Sequence, residues 1–218
     1  MRKISLLNLI LFASMITTTA SAARLSVIFT GGSGGSERTY ARAFITSTTY
    51  DGNLGGIAGA DAKCQARANA ASLGGTWKAI ISDSTTNAQS RMKFRTKPVY
   101  DLAGRLLWNP AQGVTHSNDS YTMYIPSPFY SPGQTVVGAP TMASGLRTTE
   151  LGGTATNETW SGSDPYGAAV ANTHCTNWST TAGNGFVGRA DTVTQTWIYY
   201  TTRSCATATL SLYCLEDE

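Results

Sequence analysis

The chain is poor in the residues that carry most acid–base and metal chemistry. It has two histidines, His116 and His174, in 218 residues, and only 13% of its residues are charged. A Ser–His–Asp arrangement needs a histidine beside an activated serine, and no G-x-S-x-G turn is present. C-x-x-C is also absent, and the spacings between Cys64, Cys175, Cys205 and Cys214 fit no zinc ribbon. Gly31 to Ser36 (GGSGGS) lacks a following Gly-Lys-Ser/Thr, so it reads as a flexible linker and not as a phosphate loop. The longest apolar run, Ile4 to Ile16, is about 13 residues, short of the ~20 that a spanning helix needs. No internal repeat is visible. The formal net charge of +3 includes Arg2 and Lys3, so the rest of the chain is close to balanced. It carries no electrostatic footprint for nucleic acid.

What is present begins with an export signal. Arg2 and Lys3 precede the apolar run, and Ala20-Ser21-Ala22 fits the cleavage pattern. Residues 1–22 are therefore expected to be removed, leaving no transmembrane segment and a secreted, periplasmic or cell-surface destination. The short leader suits a bacterium. In an exported chain an even cysteine count points to two disulfides, with three pairings open. Abundant Ser, Thr, Gly and Asn suit a loop-rich domain containing β-structure. Residues 23–43 read as an arm and linker, and residues 44–218 as one domain.

Along that domain, Ala43 to Ser47 reads as a strand and Tyr50 to Gly56 as turn chemistry. A helix of about a dozen residues is expected from near Gly59 to Asp61 up to Leu73-Gly74-Gly75. Ile57, Ala60, Cys64, Ala68 and Ala71 mark its inward face, and Asp61 in its first turn would suit the helix dipole. Thr76 to Ser82 reads as a strand with Trp77, Ala79 and Ile81 on one side. Val99 to Trp108 reads as a hairpin. Residues 109–150, with Pro126, Pro128, Pro132 and Pro140, form a long irregular excursion. Gln195 to Thr201 and Ala208 to Leu215 both read as strands, the second turning Leu210, Leu212 and Cys214 to one face.

Three blocks, GIAGADAKCQARANAASLGGTWKAIIS, TWSGSDPYGAAVANTHCTNWS and SCATATLSLYCLEDE, together with PVYDLAGRLLW, resemble the endostatin domain of certain collagens. They are still more similar to its uncharacterised bacterial secreted relatives. The resemblance covers about residues 44–218. It implies an α+β domain of the C-type-lectin-like fold, with mixed, mostly antiparallel sheets, a first helix, long loops and two disulfides. It also implies nested bridges, Cys64–Cys214 and Cys175–Cys205. For the first pair, the inward placement of both residues on helix and strand agrees.

Two groups of residues are candidates for binding. The loop Ser163 to Gly167 with Trp160, Asp164, Asn177 and Trp178 resembles the ligand loop of C-type lectins. However, Tyr166 stands where a second oxygen ligand would be, and Trp178 and Ser179 follow Asn177 where a carboxylate would be needed. The run Ser90 to Pro98 carries Arg91, Lys93, Arg95 and Lys97. As a strand it would put four cations on one face; as a helix it would stack Arg91 and Arg95 one turn apart. Endostatin binds heparin through arginines near this place, so the resemblance implies a polyanion or acidic-glycan site. The zinc of collagen endostatins is not expected here, because neither histidine lies in the N-terminal arm. The expectation is a non-enzymatic exported binding or adhesion module without metal or cofactor, facing a glycan, polyanion, matrix component or surface protein. A polysaccharide hydrolase and a surface-assembly component contacting through residues 24–43 are the alternatives.

Overall fold

The computed structural model describes residues 38–92, 97–109 and 142–217, together with the backbone of 114–115 and 122–123. The leader, the Gly/Ser linker and most of the excursion lie outside the described residues. Five strands form the main sheet: β1 (Ala41–Ile45), β2 (Thr76–Ala79), β3 (Val99–Asp101), β4 (Leu106–Trp108) and, at the far end of the chain, a strand Tyr213–Asp217. Short strands β5 (Val114–Thr115) and β6 (Thr122–Met123) pair with each other. A second sheet holds β7 (Glu158–Trp160), β8 (Asn184–Arg189) and β9 (Thr201–Ser204), all antiparallel. The terminal strand is then β10, and the main sheet runs β2-β10-β1-β3-β4. Only β1 and β3 are parallel within it. The first and last described strands are thus neighbours at its centre. Ala41 and Arg42, read from the sequence as part of the arm, are in β1.

Helix α1 (Gly56–Ala70) packs on one face of this sheet. Its buried residues are Ala60, Cys64 and Ala68, spaced by four, so they form a narrow stripe of small side chains. Phe44, Trp77, Ala79, Ile81, Leu212 and Cys214 pack into the same cluster. The opposite face buries Ala43, Ile45, Ile80, Val99, Tyr213 and Leu215 against Leu107, Met142, Leu146, Trp197 and Ile198. Because both faces are covered, β10 buries alternate and intervening residues alike, as a strand central to a two-sided core must.

Several local expectations are corrected. The helix starts three residues earlier, after Gly55 at φ 84°, and Asp61 is not in its first turn. Instead Asp61 accepts the Ala79 N–H at 2.8 Å and pairs with Arg91, tying α1 to β2. The left-handed residue just past the helix is Ser72, at φ 54°. Gln195 to Thr201 is not one strand. Trp197 and Ile198 are both buried, which a 3₁₀ turn at Gln195–Trp197 permits and a one-faced strand does not. Pairing in the last segment is displaced toward the C-terminus, because Leu210 and Ser211 make only isolated bridges to Tyr50 and Thr159.

Cys64 and Cys214 form one disulfide and Cys175 and Cys205 the other. The first closes a separation of 150 residues, which restricts the unfolded chain by roughly 4–5 kcal/mol in the entropy model, with measured gains often smaller. The Cys64→Ala variant is expected to expose one titratable thiol and to melt well below the native protein. An unchanged thermal midpoint would show that this bridge does not hold the domain closed.

Candidate functional site

The second disulfide sits under an unusual piece of backbone. Cys175, Thr176, Asn177 and Trp178 have φ of 49°, 51°, 56° and 61°. They form one left-handed turn, closed by Trp178 N–H to His174 C=O at 2.7 Å and Ser179 N–H to Cys175 C=O at 3.1 Å. Each such non-glycine residue costs roughly 1–2 kcal/mol, so the surroundings must hold the turn in place. Four anchors do so. Cys175 is bonded to Cys205 in the core. The buried Trp178 donates its indole N–H to the Ser82 carbonyl at 2.7 Å. His174 accepts the Asn177 N–H on Nδ1 at 3.0 Å, and the Asn177 carboxamide oxygen accepts the Ser84 N–H at 3.1 Å. Gly52 and Gly185 flank the bridge because a Cβ at either would lie within 2.8 Å of Cys175 Sγ.

The residues of the expected ligand loop are therefore near one another but differently used. Trp160 and Trp178 are both fully buried, with ring centroids 5.7 Å apart, and Trp160 donates to the Tyr50 carbonyl at 3.0 Å. Asp164 closes its own loop, accepting the N–H groups of Tyr166 at 2.8 Å and Ala168 at 2.9 Å on one oxygen. Asn177 is half-buried at the edge of the left-handed turn. Thr176 and Ser179 beside it are exposed.

Only the two ends of the basic run lie among the described residues. The short helix α2 (Ala88–Arg91) ends at Arg91, and Met92 is extended. The guanidinium of Arg91 turns back to Asp61 and to the Ala79 carbonyl. Lys97 donates to the Arg38 carbonyl at 2.6 Å. Lys93 and Arg95 lie outside the described residues, so neither the single-face strand nor the stacked helix is described in full.

Two buried carboxylates, absent from the sequence-based candidates, act as ties. Glu150 is fully buried; it takes the Ser47 hydroxyl at 2.5 Å, the Ser47 N–H at 2.8 Å and the Arg67 Nε–H at 2.6 Å. Burial pushes its carboxyl up, but the bonds from Ser47 and Arg67 outweigh this and hold it below its ordinary range. This pair joins α1 to the segment after β1 and to the turn at 149–153. Asp101 takes the Ala103 and Arg105 N–H groups on one oxygen, at 3.0 and 2.8 Å. Its other oxygen takes Arg105 Nε and the Thr148 hydroxyl, both at 2.7 Å. A small cavity of about 10 Å³ among Ala43, Val99, Met142 and Trp197 is wholly apolar and too small for a ligand. Among the described residues no group of acidic, histidine and cysteine side chains is placed to hold a metal ion, and no helix is long and apolar enough to cross a membrane.

The second sheet carries an aromatic pair that single-residue reading of the sequence did not single out. Phe186 of β8 and Tyr199, both half-buried, stack in parallel with centroids 4.3 Å apart. Tyr199 also packs against the core. Tyr200 is 42% exposed and has charged neighbours, with the Arg189 guanidinium 5.8 Å from its ring centroid. Their sequence signal is weak, because the pair forms across two chain segments 13 residues apart.

These features define the class: an α+β domain closed by two disulfides, with polar loops between its strands. Residues 47–196, well over half of the chain, match the family described as protein of unknown function (DUF1554), and the chain belongs to that family. No curated protein matches it.

The sign of the Glu150 shift fixes a pH dependence. The native carboxylate holds its proton more weakly than the unfolded one, so its contribution is complete above the ordinary glutamate range, near pH 4.3. That contribution is lost as pH falls through the native value. Glu150→Gln should cost about 3 kcal/mol at neutral pH and flatten the acid limb of stability. Urea melts of both proteins from neutral to acid pH would check this, and parallel acid limbs would contradict it.

Proposed function

We propose that the protein is an exported, non-enzymatic binding module on an endostatin-like form of the C-type-lectin-like fold, and that it recognises a glycan, a matrix component or a surface protein. The observation that carries this reading is the left-handed turn at Cys175–Trp178. Strain of this kind is retained where its surroundings over-determine it and gathers at ligand sites. Here a disulfide and a buried tryptophan fix the turn, while Thr176 and Ser179 face solvent. A loop fixed before binding loses little freedom on binding, which favours affinity.

The finer fold assignment draws support from three features: terminal strands paired at the sheet centre, a helix following the first strand, and nested bridges Cys64–Cys214 and Cys175–Cys205. The export signal at residues 1–22 supports a secreted, periplasmic or cell-surface site of action, and the disulfides suit an oxidising compartment. Against a hydrolytic role, both oxygens of Glu150 and of Asp101 already accept from protein donors. A catalytic acid or base needs an oxygen within reach of substrate.

The test is a screen of the oxidised protein lacking residues 1–22 on immobilised glycans, matrix proteins and surface proteins, with and without Ca²⁺. Saturable retention on one probe class, without turnover, is expected. Turnover of a polysaccharide that disappears when a single Asp or Glu is changed would replace this reading with a hydrolytic one.

A further inference from the structure

His174 is the one histidine among the described residues, and it stands at the entry to the left-handed turn. The turn is held in two different ways. Its ends are pinned in the core, Cys175 by the bridge to Cys205 and Trp178 by burial and its indole bond to Ser82. Its middle is Thr176, exposed, and Asn177, half-buried. The Asn177 N–H donates to His174 Nδ1 at 3.0 Å, and the Asn177 carboxamide in turn accepts the Ser84 N–H. The imidazole is thus the first link of a chain that runs through Asn177 to the loop after β2.

That link excludes a proton. A ring nitrogen accepts a hydrogen bond only through a free lone pair, whereas both nitrogens of the imidazolium are donors. A proton on Nδ1 and the bond from Asn177 therefore cannot coexist. Histidine is the side chain that changes charge between pH 5 and 8. Charged groups on the elements around the turn are engaged elsewhere. Arg203, opposite Gly185 in the β8–β9 register, is held by Glu158, and Asp83 takes the Thr85 and Thr86 amides. On the side of α1, Asp51 takes the Asn53 amide and Asp61 pairs with Arg91. The Glu150 carboxyl, held below its ordinary range, keeps its charge over the same interval.

We infer that protonation of His174 switches this turn, a regulation of the binding module proposed above that rests on that reading: the solvent-facing middle loosens while the two ends stay anchored. A ligand that meets Thr176 and Asn177 is then held near neutral pH and released on mild acidification.

The experiment follows amide exchange by NMR on the oxidised protein lacking residues 1–22, between about pH 8 and 5, corrected for the pH dependence of intrinsic exchange. The His174 ring resonances report its proton. Protection of the Asn177 amide should fall about fivefold as the ring is protonated, the size expected for losing one cap, and that of Ile80 in the main sheet should not change. His174→Asn offers a carboxamide oxygen that accepts without titrating, so its protection should stay level across the range. His174→Ala should lack that protection throughout. Constant Asn177 protection while the ring titrates, an equal fall in His174→Asn, or a ring that gains no proton in this range would each overturn the switch. This readout needs no ligand, so a fivefold fall with no retention on any glycan or protein probe would overturn the binding module alone. Where a probe is retained, acidification should release it from the native protein and not from His174→Asn. Retention by the native protein that survives acidification would overturn the control of binding.

Discussion

The placement of β10 inside the main sheet, between β2 and β1, is the constraint on which the other features depend. The last strand of the chain pairs on one side with β1 and on the other with β2. It carries Cys214 inward to Cys64 on α1. It also carries Glu216, which receives the Arg42 guanidinium at 2.6 and 2.8 Å while Arg42 lies over Trp77. Until residues from both ends of the domain meet, α1 has no surface on which to lay its stripe of small side chains. Such contacts join residues far apart in sequence, so they form only after a large loss of chain entropy. A disulfide spanning the same separation offsets part of that loss in the unfolded chain.

A second tier of ties attaches the surface loops to this closed frame. Glu150 joins α1, the end of β1 and the 149–153 turn, while Asp61 and Arg91 join α1, β2 and α2. Trp178 anchors the left-handed turn by reaching Ser82, beyond the end of β2. The β7–β8–β9 sheet is coupled to the frame through Ser211, which donates its N–H to Glu158 and accepts from Trp160. Two backbone hydrogen bonds thus tie this sheet to the frame. In the proposed binding role such anchoring would matter, because a binding surface ordered in advance loses little on association.

Much of the frame is legible in the amino-acid sequence, and the reasons are local. Ala60, Cys64 and Ala68 repeat at helical spacing, and Val99 to Trp108 reads as a hairpin because a glycine turn divides two apolar runs. The helix start is misjudged because Gly55 and Gly56 begin it from a left-handed backbone. Spacing alone carries no trace of that. Gln195 to Thr201 reads as a strand because Trp, Ile and Tyr favour strands, yet two adjacent side chains must both be buried there, and tertiary packing decides. The candidate site is less legible. Arg91 belongs to an evident basic run, but Asp61, which neutralises it, lies 30 residues earlier. Four consecutive left-handed residues at CTNW contain no glycine to announce them. The Phe186–Tyr199 stack exists only once β8 and the segment before β9 are side by side.

Residue-resolved hydrogen exchange of the oxidised protein is the most direct test of the frame. Amides donated to the start of the chain's closing strand, such as Ile80 to Tyr213 and Thr46 to Leu212, should open only with global unfolding and exchange slowest of all. Loosening these strands should release the β7–β9 sheet with them, so its protection should never exceed theirs. If β8 amides outlast those of β1 and β10, the second sheet is an independent unit and the closed frame is not what holds it.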